Sequence, residues 1–205
     1  MGRRPGPTGC LTMSLYLALV HYPVCNKKGE VVSTSITNLD IHDLARSAKT
    51  FGARGVFFVT PVPSQQWFAR RIIVHWSKGV GAVYNPTRKE AVELVRLADD
   101  LEAVAEAIHE QTGRDALFVA TTAKPRPNAL GFAALRRRLE TSDEPFCLVF
   151  GTGWGLHPEL FEQVDFILEP VCGPSEYNHL SVRAAVAIVL DRLLGRSEDK
   201  REHED

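Results

Sequence analysis

The chain has 205 residues, of which 44% are hydrophobic, and this composition suits a single domain with an ordinary core. Its formal net charge is -1, so the chain as a whole lacks the positive field of a protein that binds nucleic acid without selectivity. The apolar run at residues 15–20 is too short for a signal core or a membrane span, so we expect a cytoplasmic protein with no membrane partner.

The two ends of the chain differ in composition from the middle. Residues 1–12 contain Arg3, Arg4 and several prolines and glycines, which predicts a disordered leader. Residues 196–205 are almost wholly charged or polar and have no apolar anchor, so they predict a charged, disordered tail. Residues 13–195 are therefore expected to form the one folded domain.

The cysteines and histidines show no metal-site spacing. No C-x-x-C pair is formed by Cys10, Cys25, Cys147 and Cys172, and the seven histidines contain no H-x-x-x-H pair. Reduced thiols and a protein without a bound metal are expected.

The first elements along the chain are a strand and a helix. Residues 15–23 are continuously apolar and end at a proline, which predicts a buried strand. Residues 41–51 place apolar side chains at helical spacing, with Asn38 or Asp40 as the N-cap and Gly52 as the stop.

The middle of the chain continues this alternation. Residues 56–60 predict a second strand, and Ser64 is expected to cap a helix that runs to about residue 77. Residues 90–98 fit neither period well and are assigned to a strand. A helix stripe then runs from Leu101 to Gly113, with Asp99 or Asp100 as its cap.

The last part of the chain completes an alternating pattern. It predicts strands at 116–120, 146–150 and 164–168, a Pro-rich loop at 121–128, and helices at 132–139, near Glu159 and at 179–194. Alternating strands and helices predict an α/β fold with a mostly parallel sheet flanked by helices.

Basic residues cluster in two places. One cluster contains Arg70, Arg71 and Lys78, and the other contains Lys124, Arg126, Arg136, Arg137 and Arg138. Each cluster is either a solvated helix face or a phosphate-contacting patch, and the sequence leaves both interpretations open.

Two predicted strands end in irregular loops that could surround one small ligand. The first runs into Gly151-Thr152-Gly153-Trp154-Gly155-Leu156, and the second leads to the segment at 177–185. Leu156 occupies the place of the last glycine of G-x-G-x-x-G, and no G-K-[ST] is present, so the ordinary dinucleotide and P-loop folds are disfavoured. A nucleotide-like cofactor bound in another way is indicated.

Three segments in order resemble the motifs of the SPOUT class of RNA methyltransferases. Residues 37–56 are similar to motif 1, in which an Asn and an Arg bracket the first turns of a helix; residues 148–156 are similar to motif 2, and residues 178–185 to motif 3. The chain looks closest to a small bacterial RNA methyltransferase-like family related to the C-terminal domain of tRNA guanine-N1 methyltransferases. Asp40 departs from the motif 1 pattern, where many relatives carry Asn.

The resemblance implies a C-terminal trefoil knot, S-adenosylmethionine (S-adenosyl-L-methionine) as cofactor, a tRNA or rRNA substrate, and a homodimer in which motif 1 and the last helix of the partner complete each pocket. By analogy, the cofactor-binding residues are Thr121, Thr122, Gly151, Thr152, Gly153, Ile167, Leu168, Tyr177, Asn178, His179, Leu180 and Val182. The alternative for the glycines is that they only form tight turns.

Arg46 is the first candidate for catalysis, because its position matches the motif 1 arginine and a guanidinium can grip a phosphate or polarise the acceptor. Asp40 is the second candidate, with helix capping as the alternative. His42 and Asp43 lie between Asp40 and Arg46 in the sequence, near enough to both to act as bases, although their spacing does not require this role. Asn178 and His179 could contact ligand or cap the last helix.

Three functions are compatible with these features. The first is an S-adenosylmethionine-dependent RNA methyltransferase. The second is a non-catalytic module of the same fold that binds S-adenosylmethionine or RNA, which the near-neutral charge and Asp40 favour. A nucleotide-binding oxidoreductase is a distant third, because no G-x-G-x-x-G follows the first strand.

Overall fold

Strands and helices alternate along residues 13–196, the part of the chain that the computed structural model describes. The strands are β1 Leu15–Val20, β2 Val24–Cys25, β3 Val31–Val32, β4 Gly55–Val59, β5 Val95–Ala98, β6 Leu117–Ala120, β7 Phe146–Gly151 and β8 Phe166–Ile167. The helices are α1 Asn38–Thr50, α2 Pro63–Ser77, α3 Val80–Tyr84, α4 Pro86–Val92, α5 Leu101–Thr112, α6 Phe132–Thr141 and α7 Val182–Leu194, with a 3₁₀ helix at Pro158–Glu162. The predicted leader and all but the first residue of the predicted tail lie outside the described residues.

Six strands form one sheet in the order β5-β4-β1-β7-β6-β8, and every neighbouring pair in it is parallel. β2 and β3 form a separate antiparallel pair. The predicted α/β fold with a parallel sheet is confirmed. In such a sheet all the carboxyl ends meet at one edge, where irregular loops can form a ligand site.

The central strand β1 divides the core into two halves. All six of its residues are buried, and alternate side chains point to opposite faces because the strand period is two. Leu15, Leu17 and Leu19 join the half of the core formed with α1, α2, α4, α6 and α7. Tyr16, Ala18 and Val20 join the half formed with α5 and the 3₁₀ helix.

The N-cap of helix α1 lies before both predicted cap residues. Thr37 is its N-cap: the Thr37 hydroxyl accepts from the Asp40 amide at 3.1 Å, and the Asp40 carboxylate accepts from the Thr37 amide at 3.2 Å. This reciprocal pair is a capping box, so the prediction of Asn38 or Asp40 as the N-cap is wrong and Asp40 is the third helical residue. Gly52, at φ +76°, follows the helix as predicted.

Several other boundaries also differ from the prediction. Residues 90–92 are helical, because Asn85 caps α4 through the Arg88 amide at 2.9 Å and Pro86 opens the helix, so the strand starts only at Val95. Pro63 opens α2 without any side-chain cap, so Ser64 is not its cap. The last helix starts at Val182 rather than at His179. The strand predicted at 164–168 is shorter than expected, because only Phe166 and Ile167 form β8.

None of the helices within residues 13–196 is long and apolar enough to cross a membrane.

Candidate functional site

The carboxyl ends of β6, β7 and β8 bring several predicted site residues to one edge. Thr121 follows β6, and both its amide and its hydroxyl donate to the Val149 carbonyl of β7, at 2.9 and 3.0 Å. Leu168 follows β8, and its amide donates to the Ala120 carbonyl at 2.8 Å. Thr121, Gly151, Ile167 and Leu168 therefore lie together at the ends of three adjacent strands.

The loop between β8 and α7 is tied to the loop after β6. The Asn178 side-chain amide donates to the Ala123 carbonyl at 2.8 Å, and Thr122 turns the same loop by accepting from the Lys124 amide at 3.1 Å. The Ser181 hydroxyl, not Asn178 or His179, caps α7 by accepting from the Ala184 amide. Capping, one of the two roles considered for Asn178 and His179, belongs to Ser181 instead.

Three aromatic rings gather where this loop meets the glycine-rich loop. The His179 ring stands edge-on to Tyr177 at 5.3 Å and to Trp154 at 6.4 Å between centroids. Trp154 and Tyr177 are 56% and 74% exposed, and Leu180, which follows His179 in the chain, is also exposed. Such exposed rings are available to cover a planar ligand.

The glycine-rich loop is held by contacts with β1 and β2 and by contacts within the loop. The amides of Thr152, Trp154 and Gly155 donate to the carbonyls of Val20, Cys25 and Thr152 at 3.2, 3.0 and 3.0 Å. A Cβ on Gly151 would lie 2.5 Å from the Leu156 nitrogen, and Gly153, at φ +61°, would place a Cβ 3.0 Å from the Cys25 carbonyl oxygen. These contacts favour the tight-turn interpretation for Gly151 and Gly153, and they leave these three amides occupied.

His21 links β1 to this loop, and the sequence did not point to it. Its ring is completely buried; Nδ1 lies 3.0 Å from the Thr34 hydroxyl, which in turn lies 2.5 Å from the Thr152 hydroxyl. Burial lowers the pKa of His21 to about 4, against the opposing effect of the Asp40 charge. Its Nε2 atom is buried with no hydrogen-bond partner among the described residues.

A second group of candidate residues lines a groove of about 530 Å³ between α1 and α7. Arg46, exposed on α1, lies in this groove with Asp43, Ser181 and Arg183. His42 does not line it: its ring stands edge-on to Trp76 at 5.3 Å, and burial followed by the charge of Arg88 lowers its pKa.

Arg183 bridges the two helices of the groove. Its Nη1 lies 3.3 Å from Asp40 Oδ1 and its Nε lies 3.2 Å from Asp43 Oδ2. Asp40 is only 5% exposed, and its other oxygen accepts from the Thr37 hydroxyl at 2.6 Å. Both Asp40 oxygens therefore have structural partners, which favours the capping interpretation over a free base.

Comparisons with known proteins agree with this geometry. The model of the SAM-dependent RNA methyltransferase family matches residues 14–195. The chain belongs to this family. It is 42% identical over 184 residues to an uncharacterised protein of Aquifex aeolicus, with 90% of each chain covered. It is 47% identical over 182 residues to a tRNA (guanine-N(1)-)-methyltransferase of Nitratidesulfovibrio vulgaris, covering 89% of this chain but only 42% of that protein.

Among solved structures, a TrmH/SpoU tRNA modifying enzyme of A. aeolicus matches with a TM-score of 0.53 at 16% identity, covering 94% of this chain and 81% of that one. A likeness at this identity shows the fold. The SPOUT resemblance is thus confirmed, and S-adenosylmethionine is the family's cofactor. The chain spans less than half the length of the tRNA methyltransferase that it matches.

Residues of the two loops that follow β7 and β8 fit this cofactor. The exposed rings of Trp154 and Tyr177 and the exposed Leu180 side chain offer an apolar cover for an adenine, and Gly155, at φ +108°, has no atom within 4 Å of the position of a Cβ. No cluster of His, Cys, Asp or Glu within residues 13–196 could hold a metal ion. The exposed aromatic and apolar side chains of these loops are therefore compatible with S-adenosylmethionine as the ligand.

Proposed function

We propose that this chain transfers a methyl group from S-adenosylmethionine to a base or ribose of tRNA or rRNA. The observation that supports it best is the convergence of Thr121, Gly151 and Leu168 on a loop fixed by Asn178, within a chain of this family. Residues 13–195 form the catalytic domain in this proposal, with the trefoil knot that the SPOUT class implies, and the enzyme works in the cytoplasm.

The cofactor residues act mainly by positioning. The cofactor supplies an electrophilic methyl group on a sulfonium, and an in-line displacement needs little covalent help from the protein. Thr121, Thr122, Leu168 and Leu180 border the pocket in this proposal, while Thr152 and the glycines fix the loop. Tyr177, His179 and Val182 close it from the side of α7.

Arg46 is the proposed catalytic residue. Arg46 is an exposed residue of the groove lining and forms no ion pair within residues 13–196, so its guanidinium is available to grip a phosphate or to polarise the acceptor. Asp40, the second candidate, acts through Arg183: the pair fixes the start of α7 against α1. This role positions the pocket without requiring Asp40 to accept a proton.

We further propose a homodimer built on α1 and α7. In one chain the groove that contains Arg46 is lined by residues of α1 and α7 and by a cap residue of each helix, and none of Thr121, Gly151 and Leu168 lines it. In this proposal a partner that presents its groove to the strand-end loops completes each pocket. Ala184 and Ala187 line the groove with small side chains that permit close approach. Sedimentation of wild type and Ala187→Glu tests this; a monomeric wild type that still binds cofactor would contradict the shared pocket.

Calorimetry and methyl incorporation together test the function. We expect one S-adenosylmethionine per chain and no binding of NAD. Labelled methyl groups should then appear in RNA from a strain that lacks the protein. Cofactor binding without any transfer would favour the non-catalytic module, and NAD binding would overturn the family assignment of the pocket.

A further inference from the structure

The net charge of the chain conceals a strong internal asymmetry. Residues 44–89 carry eight of the 24 Lys and Arg residues and none of the 25 Asp and Glu residues. The remainder of the chain is therefore distinctly acidic. A protein with this distribution presents a local positive field although its formal net charge is -1.

Helix α2 displays part of this charge beside exposed apolar side chains. Trp67, Arg71, Val74 and Lys78 follow one another at helical spacing on the surface, and Arg70 is exposed next to them. The Arg71 guanidinium lies 5.8 Å from the centroid of the Trp67 ring, which is 65% exposed. A cation and an aromatic ring thus share one free face.

The short helix α3 extends the same face. Val83 and Tyr84 are each 85% exposed, and Val80 is 80% exposed. Gly81 packs against α2, because a Cβ there would lie 2.7 Å from the Trp76 ring. The large side chains of α3 therefore point outward, and we name the exposed surface of Trp67, Arg70, Arg71, Lys78 and Tyr84 the α2–α3 face.

We propose that the α2–α3 face binds the RNA, with its exposed rings stacked on bases and its cations on phosphates. This inference rests on the proposed function, which makes RNA the substrate. A face that combines cations with exposed rings suits a polyanion with flat bases. A second copy of the chain is disfavoured, since a two-fold contact through this face would set like charges against each other.

The position of α2 connects this face to the catalytic groups. The Gln66 side-chain amide donates to the Thr60 carbonyl at the carboxyl end of the sheet, at 2.9 Å, and the Gln65 side chain accepts from the Ile36 amide at 2.7 Å. The start of α2 is thereby held beside the start of α1, the helix that carries Arg46. RNA lying along α2 would lead toward the Arg46 groove.

Fluorescence polarisation with a labelled tRNA pool tests the face. Arg70→Gln/Arg71→Gln should weaken binding about tenfold or more and reduce the slope of log affinity against log salt by about two, one for each phosphate that the variant no longer neutralises. Trp67→Leu should weaken binding about tenfold because a base can no longer stack on the indole. The matched control is Arg137→Gln/Arg138→Gln on α6, which removes the same charge from another exposed pair and should change affinity less than about twofold.

Equal reductions of affinity in both double variants would overturn the proposal, as would unchanged binding in the α2 variants. A Trp67→Leu protein that dissociates into monomers with intact RNA affinity would assign the face to a second copy instead. Cofactor affinity measured by calorimetry distinguishes failure of the proposed function from failure of the RNA-binding proposal alone. If the wild type binds neither S-adenosylmethionine nor RNA, the proposed function fails; if it methylates RNA while the α2 variants behave as wild type, only this inference fails.

Discussion

The burial of His21 predicts a pH dependence of the free energy of unfolding, and its size can be worked out from the structure. The ring is inaccessible to solvent, its Nε2 has no hydrogen-bond partner among the described residues, and it stacks beside Phe58 at 6.1 Å between centroids. A proton on such a ring would lack both water and a partner. His21→Gln replaces the imidazole with a neutral amide that can still bond to the Thr34 hydroxyl.

The expected effect depends on pH. Burial lowers the pKa of His21 from 6.5 to about 4, so the unfolded chain binds more protons than the folded protein between these values. The stability that the neutral ring permits is therefore present above about pH 6.5 and is lost as the pH falls toward 4. A difference of about 2.5 in pKa corresponds to roughly 3 kcal/mol at pH 4.

Urea unfolding of wild type and His21→Gln at pH 7 and pH 4 measures this effect. Other groups titrate equally in both proteins, so only the difference between them counts. We expect the free energy of unfolding of wild type to fall by roughly 3 kcal/mol more than that of the variant. Parallel pH dependences would refute the picture of a buried neutral imidazole.

Three further substitutions test the groups around the site. Gly153→Ala should lower the free energy of unfolding in urea by about 1–3 kcal/mol, because φ is +61° and the new Cβ would meet the Cys25 carbonyl oxygen. The control Gly113→Ala, at φ +70° with no atom near the new Cβ, should lower it by about 1 kcal/mol. Equal losses would contradict the close contact at Gly153. Arg183→Met should destabilise the protein by about 1–3 kcal/mol by leaving the buried Asp40 carboxylate without its cation, and an unchanged unfolding midpoint would contradict that pairing. Asp40→Asn should retain most methyl transfer, because the Asn side-chain oxygen can still accept from the Thr37 amide and so keep the capping box; complete inactivity of a folded variant would restore the general-base role.

The fold was predictable because its signals are local. β1 is continuously apolar, and α1 and α5 carry apolar stripes with polar residues at their starts and glycines at their ends. The spacing of the apolar residues and the start and stop residues are therefore enough to predict these three elements. The strand predicted at 90–98 is wrong in its first residues because Asn85-Pro86 is a helix start signal, and the helix that begins there runs through Val92 before β5 begins.

The site was only partly predictable, because its key contacts join distant residues. Arg183 and Asp40 are 143 positions apart, and the Thr34 and Thr152 hydroxyls are 118 apart. No local sequence pattern predicts such pairs. The family motifs brought attention to Gly151 and Asn178, but only the structure revealed that Gly151 is needed for internal packing and that Asn178 fixes the loop after β6.

Methyl transfer by wild type and Arg46→Ala is the most direct test of the proposed enzyme. Both proteins are given methyl-labelled S-adenosylmethionine and tRNA or rRNA from a strain that lacks the protein, and the label in RNA is measured beside cofactor affinity and melting temperature. We expect wild type to label the RNA, and Arg46→Ala to keep its cofactor affinity and melting temperature while failing to transfer the label, because a positioning contact acts in the transition state. A wild type that binds the cofactor but never labels RNA, or a fully active Arg46→Ala, would contradict the account.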